Sequence, residues 1–119
     1  ASRGPIGTWD VSRVTDMSRM FARAKYFNGD MSKWDVSRVT DMNDMFVGTN
    51  FNVNISKWDV SSVITMDRMF RHATSFKQQL CGDAWVYSQP SKIDMFLGSS
   101  GSISRSVCGQ SPPQRWLAR

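Results

Sequence analysis

One phrase, Trp-Asp-Val-Ser, is written three times in this chain, and each copy opens the same longer sentence. Trp9-Asp10-Val11-Ser12-Arg13-Val14-Thr15-Asp16-Met17 returns as Trp34-Asp35-Val36-Ser37-Arg38-Val39-Thr40-Asp41-Met42. It returns again, altered, as Trp58-Asp59-Val60-Ser61-Ser62-Val63-Ile64-Thr65-Met66. The steps are 25 and 24 residues. One unit of this size cannot bury its own apolar face, so neighbouring units must cover it, and a period in this range reads as a repeat architecture. Such architectures mostly offer surfaces that bind and seldom sites that react.

The units can be bounded from the residues. Repeat one runs from about Ile6 to Asp30, repeat two from Met31 to Asn54 and repeat three from Ile55 to about Gln79. A decayed fourth unit holds Trp85, Ile93, Met95 and Phe96. Within each unit two periods separate. Met17, Met20, Phe21 and Ala24 stand at i, i+3, i+4 and i+7, and the sets from Met42 and Met66 keep that spacing, which predicts a short helix. Thr15 and Thr40 would cap it. Trp and the Val two places on (Trp9 and Val11, Trp34 and Val36, Trp58 and Val60) fit one face of a short strand. Phe27, Phe51 and Phe76 fall on the return loop as plugs. The expected fold is therefore an α/β repeat solenoid, LRR-like, of about three and a half coils of 24–25 residues, each a short strand plus a short helix. Residues 1–79 would form the repeats, 80–109 an irregular C-terminal cap and 110–119 an extended tail. Like residues would stack in columns: Trp9, Trp34, Trp58 and Trp85; Met17, Met42 and Met66; Phe21, Phe46 and Phe70.

The two cysteines, Cys81 and Cys108, are not spaced as a metal motif. They are either a disulfide or two reduced thiols. The disulfide is the reading taken, and it would close a loop of about 28 residues worth about 3–4 kcal/mol in the chain-entropy model. It would also place the chain outside the cell, on the cell surface or in another oxidising compartment such as an organelle lumen. No stretch approaches the length of apolar chain that spans a bilayer. The start lacks an initiator Met and an apolar leader, so a processed form or a fragment is expected.

The string Met-Phe-x-x-Ala-x-x-Phe-Asn-x-Asp-Met-Ser-x-Trp-Asp-Val-Ser-x-Val-Thr-Asp-Met, from Met20 to Met42, resembles the BspA-like leucine-rich-repeat surface-protein family, whose repeat is also found in mycoplasma-type lipoproteins. The resemblance covers about Ile6 to Gln79. It implies an LRR-like solenoid at the cell surface or secreted, a role in adhesion and protein–protein binding, and no enzymatic activity. Ile64 and Lys77-Gln78-Gln79 depart from the pattern and put local turns in doubt.

Chemistry is sparse. His72 is the single histidine, no phosphate loop or HExxH motif occurs, and neither catalysis nor a cofactor nor a metal site is expected. The Asp column (Asp10, Asp35, Asp59) reads as Asx-turn acceptors before it reads as a Ca²⁺ site. The net charge of +5 arises from ten Arg and five Lys against ten Asp, with no run of like charge that would point to nucleic acid. Specificity should sit where the repeats differ. Arg19, Asp44 and Arg68 share one column, and Arg23, Gly48 and His72 another. Arg19, Arg23, Arg68, Arg71 and His72 are thus the candidate binding residues, and an acidic protein is the expected partner. The expected function is a protein-binding or adhesion module. A second reading is a structural subunit or stabilising linker of a large assembly, tethered by Arg115, Trp116, Leu117 and Arg119.

Overall fold

The computed structural model describes residues 5–110. The anchors expected at Arg115, Trp116, Leu117 and Arg119 lie outside the described residues, as does the 110–119 tail beyond Gln110.

The expected α/β, LRR-like solenoid is overturned. Among the described residues, regular structure is confined to a 3-10 turn at Ile6–Thr8, two strands of two residues each, β1 (Gln79–Leu80) and β2 (Ser102–Ile103), and one α-helix, α1 (Asp83–Tyr87). β1 and β2 pair in parallel, with Gln79 opposite Ser102 and Leu80 opposite Ile103. None of the three repeats contains an α-helix, and none has a strand at its Trp. The strand-plus-helix coil is absent.

The reason lies in the backbone of the segment that carries the helical spacing. Arg19 and Arg23 have φ of +59° and +63°, so the chain leaves the right-handed region every four residues. Asp44 and Gly48, Arg68 and His72, and Asp94 and Gly98 do the same in the later units. No α-helix survives such residues. The chain instead forms turns: the Met20 amide donates to the Met17 carbonyl and Ala24 to Phe21, each with the left-handed residue third in the turn, as a type II turn requires. Turns repeating every four residues return side chains i and i+4 to the same face. That is why their spacing imitates a helix.

The remaining amides point out of the turns and meet the next copy of the repeat. Met17, Arg19, Phe21 and Arg23 donate to the carbonyls of Asp41, Asn43, Met45 and Val47. Met42, Asp44, Phe46 and Gly48 donate to Thr65, Asp67, Met69 and Arg71, and Met66, Arg68, Phe70 and His72 to Ser91, Ile93, Met95 and Leu97. Single parallel bridges Asp16–Asp41, Asp41–Thr65 and Thr65–Ser91 lie in the same rows. Every second amide thus closes a local turn, and the alternate one joins two copies.

Side chains inside the rows make the core. Met42, Met45, Phe46, Met66, Met69, Phe70 and Phe76 are buried. The expected Phe column stacks ring on ring and continues into the fourth unit. Phe21, Phe46, Phe70 and Phe96 follow one another with ring centroids 5.7, 5.4 and 5.5 Å apart. Phe27, Phe51 and Phe76 lie flat against them, at 4.1, 4.0 and 4.0 Å. Three Trp are fixed by the indole N–H: Trp34 donates to the Ile6 carbonyl, Trp58 to Met31 and Trp85 to Ile55. Trp85, on α1, therefore takes the place of the repeat Trp in the decayed fourth unit.

Candidate functional site

Four of the five candidate binding residues, Arg19, Arg23, Arg68 and His72, are left-handed residues of the turns. The turns place Arg19, Arg23, Arg68 and Arg71 around one shallow surface depression of about 290 Å³, completed by Ala22, Asp44 and Val47. Four of the five candidates are thereby brought together. His72 is not among them. It is exposed and leans towards Gly98, where an added Cβ would stand 2.7 Å from its Nδ1.

The cluster is not uniformly cationic. Asp44 sits between the arginines and takes Arg68 in a fork: Nε donates to Oδ1 at 3.0 Å and Nη2 to Oδ2 at 3.2 Å. This bidentate contact with Asp44, hydrogen bond first and charge second, raises the Arg68 pKa above its ordinary value. Arg68 is thus engaged inside the protein, and Arg19, Arg23 and Arg71 carry the outward charge. The Arg71 Nε is buried and has no hydrogen-bond partner among the described residues. A guanidinium N–H without an acceptor beside a depression lined by two further arginines is suited to a carboxylate. Asp44 is the site residue whose role the sequence reading missed. The sign change along its column, Arg-Asp-Arg, was the available signal.

The Asp column behaves as turn chemistry. Asp10, Asp35 and Asp59 each accept from the amide and the hydroxyl of the Ser two residues on, Ser12, Ser37 and Ser61. The Ser12 and Ser37 hydroxyls, then their amides, hold Asp10 and Asp35 below the ordinary carboxylate pKa. Asp67 is lowered likewise, by the Ser91 hydroxyl and then the Ile93 amide. Among the described residues no three of His, Cys, Asp or Glu converge as metal ligands.

Cys81 and Cys108 are joined as a disulfide. The Cys108 amide also donates to the Cys81 carbonyl at 2.8 Å, so the link is extended by backbone bonding. Such a bond is compatible with an oxidising, extracellular compartment. Among the described residues no helix is long and apolar enough to cross a membrane.

A family model described as Mycoplasma protein of unknown function, DUF285, matches residues 1–108. The chain belongs to this family. The mycoplasma-type repeat seen in Met20–Met42 is thus supported across most of the DUF285 chain, including the decayed fourth unit and both cysteines. No curated protein and no solved structure matches it.

Proposed function

We propose that this chain is a non-enzymatic protein-binding module, of the BspA-like adhesive surface type, that takes an acidic segment of a partner protein on Arg19, Arg23 and Arg71. The observation that carries this reading is the buried, unpartnered Nε of Arg71 at the edge of the arginine-lined depression. Backbone cost supports it. Arg23 holds φ of +63° where the second and fourth units place Gly48 and Gly98. An L-residue there costs roughly 1–2 kcal/mol against glycine, and such outliers gather at functional sites. The Arg68–Asp44 fork holds one side of the cluster in place and leaves Arg19 and Arg23 exposed around it.

Titration of the chain with a short Asp/Glu-rich peptide, followed by calorimetry at low and moderate salt, tests the reading. Binding is expected at low salt and should weaken as salt screens the contact. Arg71→Ala should weaken it on the order of tenfold, the loss of one charge-assisted contact. Arg23→Gly should weaken binding while raising stability by about 0.5–1 kcal/mol, because the left-handed strain is relieved at some entropic cost. Peptide binding that ignores both substitutions, or no binding at all, overturns the reading.

A further inference from the structure

The two sulfurs of the disulfide do not stand in the same surroundings. Cys108 is exposed and lines a depression of about 290 Å³, from whose lining Cys81 is absent. Cys81 is half-buried and is held by Ser56, itself buried. The Cys81 amide donates to the Ser56 Oγ at 3.1 Å, and that oxygen lies 3.7 Å from the Cys81 Sγ. A disulfide sulfur carries no proton, so in the second contact the hydroxyl is the donor.

Charge around the depression has one sign. Lys33 and Lys57, each the residue before a repeat Trp, both line it, and no acid does. Neither lysine forms an ion pair among the described residues. Asp30 is close enough to Lys33 for the two charges to attract, but it stands outside the lining.

Thiol–disulfide exchange needs an accessible sulfur to attack, an attacking thiolate and a stabilised leaving thiolate. Cys108 is the accessible sulfur. The two ammonium groups beside it draw an anionic attacker. The Ser56 hydroxyl stabilises a thiolate on Cys81, because a hydrogen bond to the charged form favours that form. All of this selects one direction, attack on Cys108 with Cys81 leaving.

We propose that Cys81–Cys108 is a site of exchange with anionic low-molecular-weight thiols of the glutathione class. The thiolate sulfur of the small molecule bonds to the Cys108 Sγ while the bond to Cys81 breaks, and the electron pair of that bond leaves on Cys81. One disulfide is replaced by another, with no net oxidation. The carboxylates of the attached thiol rest on Lys33 and Lys57. Cys81 remains as a thiolate facing the Ser56 hydroxyl, and the covalent link across 27 residues, which encloses α1 and β2, is opened. No residue of the arginine cluster takes part, so the acidic-partner reading stands or falls separately.

The folded full chain, incubated with glutathione or with cysteamine, a cationic thiol, tests this. After acid quench and blocking of free thiols with N-ethylmaleimide, peptide mass spectrometry locates the first product. Glutathione should be found on Cys108 and maleimide on Cys81. Each rate is divided by that thiol's rate on the urea-unfolded chain, which removes their intrinsic difference. On that scale glutathione should be on the order of tenfold faster than cysteamine at low salt, and added salt should narrow the gap. The double substitution Lys33→Gln and Lys57→Gln should abolish the preference, with circular dichroism checking that the fold is kept. Arg71→Ala should leave both rates unchanged. Glutathione on Cys81, equal scaled rates for the two thiols, or a preference that survives the loss of both lysines overturns the proposal.

Discussion

Asp10, Asp30 and Asp35 each accept the amide of the Ser two places on, the shortest loop a side chain can close with its own backbone. Because the bond is local, it was readable from the Asp-x-Ser spelling alone. The left-handed residues were not. Arg and His give no sign in sequence of a positive φ, and only Gly48 and Gly98 in the same columns mark it. The carboxylate bonds have a pH consequence. Asp10, Asp35 and Asp67 are lowered by serine hydroxyls first and Asp30 by the Ser32 amide first, from an ordinary value of 3.8. The unfolded chain then binds more protons than the folded one in acid, so stability rises with pH there. Their contribution is complete above the unfolded value, about pH 4, and is lost as pH falls through the depressed folded values. The urea midpoint should be level from neutral pH down to about pH 5 and then fall. A midpoint that stays level to pH 2 would show that these bonds do not hold the fold.

At the scale of the element, the repeat was legible and its secondary structure was not. The set Met42, Met45, Phe46, Thr49 is buried as its spacing demands, and the inference from spacing to inward face holds. The inference from spacing to helix fails, because turns of four residues put i and i+4 on one face as a helix does. Trp was misassigned for a related reason: ring size suggests stacking, whereas the indole N–H is what the structure uses. Trp58 is 2% exposed and donates to the Met31 carbonyl at 3.0 Å, bridging two copies across 27 residues. Trp58→Phe keeps a ring but removes the donor and part of the volume. It should cost about 1–3 kcal/mol in urea unfolding, from the lost bond and the space left behind. An unchanged midpoint would mean the ring alone fixes neighbouring copies.

At the scale of the whole molecule, stability is shared between copies, since the row bonds join residues 23 or more positions apart, as Met42 to Thr65 and Met66 to Ser91 do. The order of copies and the place of Trp85 in the last one were legible from the period. Which row amides find an acceptor was not, because a sequence repeat gives every copy the same residues whether or not they are bonded. Hydrogen exchange separates the two cases. Amides of Met42, Asp44, Phe46, Gly48, Met66, Arg68, Phe70 and His72 are bonded to a following copy and should exchange slowly, near the rate set by global unfolding. Lys92, Asp94, Phe96 and Gly98, with no acceptor among the described residues, should exchange fast in dilute solution although they belong to the same rows. Slow exchange at these four in a monomer would mean the last end is covered within the chain itself.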